Sequence, residues 1–198
     1  MSATLAPFGL RPAYHPSGLD RAQALAGGIA SGYSSNIYKG QPVAYGTGGT
    51  SNGTIVPAAY NGAWAGAFAG VQWTDTTGRA RVSNYWPANT AYTAGTCTAY
   101  FYNDNNIVYE IQADGSMAQT SIGNEYYFTQ ANVTNGSSTT GLSACTLASA
   151  SAQGSSGTTS MRVVDLAPYV DNAWGDAYTI VRVVNSNSQF FGAFASIA

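Results

Sequence analysis

The sequence predicts an all-β protein, a β-barrel or β-sandwich with an extended N-terminal arm and a long Ser/Thr/Gly-rich loop. Three observations lead there. Short runs rich in Val, Ile, Tyr, Phe and Trp recur at close intervals along the 198 residues. Gly, Asn, Ser and Pro, the residues that turn a chain between strands, separate those runs. Few segments sustain the 3.6-residue apolar period of a helix. The length permits one large domain with a buried core. We divide it into an arm over 1–33, with at most one short helix, and a single all-β domain over 34–198.

The arm contains FGLRPAYHPSG (8–18). Its Gly and Pro content precludes a long helix and favours extended backbone. LDRAQALAGG (19–28) is the best helical segment, with Asp20 as cap and Gly27-Gly28 as stop; it forms one short helix or none. IYKGQPVAYG (37–46) reads as a strand, and Pro42 points to an edge or a bulge. GTIVPAA (53–59) is a short strand. WAGAFAGVQW (64–73) is another, whose glycines suggest a bulge or the close approach of a second backbone. RARVSNYW (79–86) sets Arg79, Arg81 and Ser83 against Ala80, Val82 and Asn84, the pattern of a half-buried strand with one solvated face. In TCTAYFYNDNNIVYEIQADGSMAQT (96–120), Ile107, Tyr109 and Ile111 alternate with Val108, Glu110 and Gln112. Asp114-Gly115 then favours a type I′ turn, with a short strand from Met117. EYYFT (125–129), MRVVDL (161–166), AYTIVRVV (177–184) and QFFGAFA (189–195) supply the last strands. AYTIVRVV is apolar on both faces, so it is buried on both sides or lies at a subunit contact. Residues 134–160 are rich in Ser, Thr, Gly and Ala without aromatics and read as a long surface loop or flexible arm.

Charge is scarce. Charged residues make up 8% of the chain, against about 25% in an ordinary soluble protein. Neutral polar side chains must therefore cover much of the surface, and self-repulsion is weak, which suits a subunit of an assembly. One lysine and no basic run argue against nucleic acid. Cys97 and Cys145 do not make a disulfide framework and read as buried free thiols. With one histidine and no close Cys pair there is no zinc pattern. The N-terminus lacks the basic and apolar regions of a signal peptide. AQALAGGIA (22–30) is too short to span a bilayer, so no membrane association is expected.

Catalytic readings are weak. The only histidine, His15, sits in an irregular stretch, and no G-x-S-x-G elbow presents a nucleophile. Asp171 and Asp176 flank Trp174 in DNAWGD, where a capped turn explains the acids better than a glycosidase pair does. NDNN (103–106) fails the EF-hand spacing at Ile107 and reads as an Asn-rich loop. GTGGTSNG (46–53) lacks the Lys-Ser or Lys-Thr of a phosphate loop. Arg79 and Arg81 form a candidate contact face, either solvated or paired with a partner's carboxylates. The fourteen Tyr and four Trp, set among Ser, Gly and Asn, match the chemistry of binding surfaces, since such rings give contact area at low entropic cost. One such reading is a carbohydrate-binding β module stacking sugars on Trp64, Trp73, Trp86 or Trp174.

FGLRP, IYKGQPV, GTIVPA, AGVQW, YWPA and TAYFYNDNNIVYEIQADGS follow one another over residues 5–120. That ordered set resembles the head decoration, or cement, proteins of tailed bacteriophages, and the resemblance returns in RVVDLAPYVDNAWGDAYTIVRVVNSNSQFF. It implies a β-rich virion protein made in the host cytoplasm and bound to the outside of an icosahedral capsid. It implies the major capsid protein and further copies of itself, as homotrimer or dimer, for partners, with no catalytic residue and no cofactor. A phage tail or fibre component is the alternative. Under this reading Phe8, Leu10, Arg11, Pro12, Tyr14 and His15 dock on the capsid or a neighbouring subunit. Phe8, Leu10 and Tyr14 are the apolar anchors and Arg11 bonds a carboxylate or carbonyl. The competing reading folds FGLRP back as an edge strand of its own domain.

Overall fold

The computed structural model describes residues 2–18, 24–150 and 159–190. Among the described residues eleven strands run in chain order: β1 (Arg11–Tyr14), β2 (Ala24–Gly27), β3 (Pro42–Tyr45), β4 (Ile55–Pro57), β5 (Gly66–Thr74), β6 (Ala80–Ser83), β7 (Thr98–Tyr102), β8 (Val108–Gln112), β9 (Glu125–Tyr126), β10 (Met161–Leu166) and β11 (Ile180–Asn185). They form two antiparallel sheets. The first has the order β1-β8-β11-β10-β9; the second has the order β2-β7-β5-β3-β4, with β6 added beside β5. The predicted all-β class is observed as a two-sheet sandwich.

Side-chain alternation explains why the second sheet is apolar on both faces. Along β4, Ile55 and Val56 point to opposite sides; so do Val43 and Ala44 on β3, Ala67 and Phe68 on β5, and Phe101 and Tyr102 on β7. One member of each pair meets Tyr109, Ile111, Met161, Val163, Val181 and Val183 of the first sheet, closing the inter-sheet core. The other meets Ile29, Ile37 and Trp86, which come from connecting segments and lie at 0% exposure. Trp86 packs edge-on against Trp73 and Tyr92, with ring centroids 5.6 and 6.0 Å away. Each large apolar side chain buried this way contributes roughly 1.5–3 kcal/mol. The loops over the second sheet are therefore a third layer of the core.

The glycines of β5 act as the sequence suggests. A Cβ on Gly66 would overlap the Tyr102 carbonyl, so β5 and β7 approach more closely than any other residue allows. Gly70, at φ 152°, sits at the end of a register break between Phe68 and Gly70. Pro42 begins β3, where no ladder hydrogen bond is lost, but β3 lies inside the sheet between β5 and β4.

Other expectations are corrected. Ala24–Gly27, the end of the proposed helix 19–28, is a strand paired with β7; helix propensity is a weak prior that backbone pairing overrides. The start of that segment, 19–23, lies outside the described residues. The arm 1–33 is not separate from the domain, because β1 joins the first sheet and β2 the second. β6 is exposed on both faces, with Val82 at 82%, rather than half-buried. Gly115 is not among the glycines with positive φ, so Asp114-Gly115 makes no type I′ turn. Asp114 instead accepts hydrogen bonds from the Ser149 N–H and hydroxyl and from the Thr129 hydroxyl. No strand starts at Met117; a single 3-10 turn spans Gln119–Ser121. EYYFT contributes only the two residues of β9. Gln189 and Phe190 are outside any strand, and 191–198 lie outside the described residues.

The Ser/Thr-rich segment also differs from the expected surface loop. It has no named strand, yet Ser143, Cys145, Thr146 and Leu147 are buried. Leu147 bridges both Ala113 and Phe128, and Leu142 bridges Lys39. Its small side chains let the backbone thread into the core. Residues 151–158 lie outside the described residues.

Candidate functional site

The first sheet carries a row of alternating charge. Antiparallel register places Arg11 of β1 opposite Glu110 of β8, Glu110 opposite Arg182 of β11, and Arg182 opposite Asp165 of β10. In-register side chains of neighbouring strands share a face, so opposite charges meet across it. Arg11 Nη2 donates to Glu110 Oε2 at 2.8 Å, and Arg182 Nε stands 3.6 Å from Glu110 Oε1. The Tyr169 hydroxyl donates to the same carboxylate at 2.5 Å and also receives an Arg11 N–H. Desolvation of Glu110 favours its neutral form, but the Tyr169 and Arg11 hydrogen bonds and the two arginine charges outweigh it, and the carboxyl is held below the usual range. Aromatic faces complete the row: Arg11 lies 4.7 Å from the Phe8 ring and Arg182 lies 5.3 Å from the Tyr14 ring.

Of the proposed docking residues, the structure brings Phe8, Arg11 and Tyr14 to this row. Pro12 stands beside them, half-buried in β1. Leu10 and His15 are corrected. Leu10 is 2% exposed and belongs to the inter-sheet core, with its N–H bonded to the Gly40 carbonyl. His15 is buried, its Nε2 3.1 Å from Asp104 Oδ2, while its Nδ1 accepts the Ser17 N–H. Both ring nitrogens are engaged within the chain. Asp104 is held low chiefly by the Asn106 N–H, despite some desolvation, with His15 adding to the effect, which makes NDNN a self-capped turn. FGLRPAY thus lies on its own sheet, as the second of the two readings had it, and β1 is an edge strand.

The other candidates resolve as internal structure. Arg81 Nε donates to Asp75 Oδ2 at 2.9 Å, and Asp75 Oδ1 accepts from the Thr77 hydroxyl and N–H and the Arg79 N–H. Those bonds, Thr77 foremost, hold Asp75 well below the ordinary carboxylate range. Arg81 is therefore paired at home, and Arg79 is exposed just ahead of β6. Asp176 accepts from the Ser2 hydroxyl and the Ala173 N–H, and Asn172 ties the Ala167 and Ile180 backbones, so DNAWGD is a capped turn. Trp64 and Trp86 lie at 0% exposure and offer no face to a sugar; Trp73 and Trp174 are partly buried against the two cores. Cys97 and Cys145 are both free, the second fully buried. Among the described residues no three His, Cys, Asp or Glu side chains group as a metal site, and no helix is long and apolar enough to cross a membrane.

Glu110, Tyr169 and Arg182 were absent from the sequence-based candidates. The available signal was a charged residue in the middle of an otherwise apolar strand, at Glu110 in IVYEI and Arg182 in TIVRVV. In a chain this poor in charge, such a residue needs a partner. These features define an antiparallel β-sandwich with a loop layer on one sheet and an aromatic-flanked charge row along the edge strand of the other. No family model, curated protein or solved structure matches the chain.

Proposed function

We propose that this chain is a structural virion protein that binds the outer surface of an icosahedral phage capsid and stabilises the expanded head. The observation that carries the reading is the construction of β1. Leu10 and His15 fasten it to the domain from inside, while Phe8, Arg11 and Tyr14 stand at its outer side, with Tyr14 at 37% exposure. A rigid edge strand bearing aromatic and cationic side chains is suited to a protein partner, because little conformational freedom is lost on docking. The low charge and the ordered resemblance to decoration proteins support the same conclusion. The partner surface is the major capsid protein, and further copies of this chain, as trimer or dimer, complete each position. Many copies make modest contacts sufficient through multivalency.

Deleting residues 1–15 would remove β1, Leu10 and His15 together and so unfasten the sheet. Substituting Phe8 and Tyr14 by Ser tests the surface alone. The wild type is expected to co-sediment with expanded, undecorated capsids, and the double variant to lose on the order of tenfold in affinity or more. Wild-type protein that stays in the supernatant would refute the proposal. Label on tails rather than heads in negative-stain images would move the protein to the alternative, a tail or fibre component.

A further inference from the structure

A cavity of about 350 Å³ opens between β1 and the segments around Lys39 and Leu142. Its wall is mostly apolar, from Phe8, Leu10, Pro12 and Leu142, and it carries two cations, Arg11 and Lys39. Among the described residues no acidic side chain lines it. Lys39 is the chain's single lysine. Its backbone is pinned on both sides, by its N–H to the Gly141 carbonyl and by the Ser143 N–H to its own carbonyl, each at 2.9 Å. Its ammonium has no ion-pair partner among the described residues. Arg11 is already paired with Glu110, so Lys39 is the cation of this wall that is left without a counter-charge among the described residues. Leu10 N–H bonds the Gly40 carbonyl at 2.7 Å, and a Cβ on Gly9 would come within 2.5 Å of that oxygen, so the back of the cavity is two backbones in contact.

We propose that this cavity binds a carboxylate carried on an apolar or aromatic group. The charge of the wall calls for an anion. Its apolar area and its size, at the lower end for ligand pockets, call for a side-chain-sized hydrocarbon attached to that anion. An inorganic dianion would leave the apolar wall unused and would find few N–H donors. Lys39 and the outer edge of Arg11 take the carboxylate, and Phe8, Pro12 and Leu142 take the hydrocarbon. The inference concerns this chain's own pocket and holds whether or not the chain belongs to a virion.

The test is titration of the full chain with 3-phenylpropionate, followed by calorimetry and by amide NMR shifts at Gly40 and Leu142. Controls are 3-phenylpropanamide, inorganic phosphate and acetate. The acid is expected to saturate the site at about 1 mM or below and to bind on the order of tenfold tighter than the amide. Lys39→Met should remove most of that preference and Lys39→Arg should retain it. Lys39 is exposed, so both variants are expected to keep the wild-type circular dichroism spectrum. A peptide ending in a free phenylalanine carboxylate, run beside the small acid, distinguishes a protein chain end from a free metabolite as the source; binding of either supports the site. No saturation of either by about 10 mM, equal binding of acid and amide, a preference untouched in Lys39→Met, or phosphate binding as tightly as the acid would each overturn the proposal.

Discussion

Glu110→Ala removes the carboxylate that holds the charge row together. Two limits bracket its effect. Removing one partner of a buried ion pair costs about 3–5 kcal/mol, because the other charge is left without compensation. Exposed pairs contribute about 0–1 kcal/mol. Arg11, with 48% of its side chain exposed, can rehydrate and lies near the second limit. Arg182, at 22%, lies nearer the first, and the Tyr169 hydroxyl loses its acceptor as well. Between these limits the expected loss is roughly 2–3 kcal/mol at pH 7. For a domain of this size that lowers Tm by roughly 5–10 °C. Urea unfolding followed by far-UV circular dichroism measures it directly. The Glu110 carboxyl is held below its ordinary range in the fold. Its stabilisation is therefore fully present above the unfolded value, about 4.3, and is lost as pH falls through the lower folded value. The gap between wild type and Glu110→Ala should be widest at neutral pH and should narrow as pH falls through the acid range. A gap under about 0.5 kcal/mol at pH 7, or one that does not narrow on acidification, would refute the account of the row.

Gly66→Ala should destabilise by at least about 2 kcal/mol, seen as a lower urea midpoint, because its methyl group has no room against the Tyr102 carbonyl. Trp64→Ala removes a fully buried ring and its Nε1–H bond to the Ser160 carbonyl; a loss of about 3–5 kcal/mol is expected in the same assay. Iodoacetamide at pH 8, read by peptide mass spectrometry, should label Cys97 slowly and leave Cys145 unlabelled until urea unfolds the chain. Burial pushes both thiols up and shuts Cys145 off from solvent. Val82→Lys, on the exposed edge strand β6, should leave stability within about 0.5 kcal/mol of wild type.

The strands that sequence reading located best are those whose local pattern and tertiary setting agree. MRVVDL is β10 to the residue, and TIVRVV contains most of β11, whose Val181 and Val183 enter the inter-sheet core while Arg182 and Val184 on the other face stay half-buried. Reading failed where burial was decided by segments far away in the chain. Glu110 and Gln112 alternate with apolar neighbours, yet both are buried, which the alternation alone does not indicate. Their face is covered by the chain's own N-terminus: the Gln112 side chain accepts the Ala6 N–H and donates to the Thr4 carbonyl. The Ser/Thr-rich segment failed for a related reason. Its composition lacks bulk, and only the alternation of Ser143, Cys145 and Leu147 marked it as an interior strand-like run. Small residues fit inside when larger ones nearby, here Phe128 and Trp64, fill the volume.

The site was legible as residues but not as a place. Phe8, Arg11 and Tyr14 were named as docking residues under the resemblance to decoration proteins, and all three reach the charge row. What turned them from a free arm into a fixed strand was Leu10, whose apolar side chain fits a docking anchor and a core residue equally well. Arg11 finds its partners 99 and 158 positions away, at Glu110 and Tyr169, and no local pattern encodes such separations. The consequence is physical. An arm that ordered only on binding would lose conformational freedom at that step, whereas a strand already held by β8 does not. Under the proposed function the contact of β1 should accordingly depend on which side chains it displays and little on its flexibility, and substitutions that loosen residues 2–7 without touching Phe8 should leave co-sedimentation with capsids close to wild type.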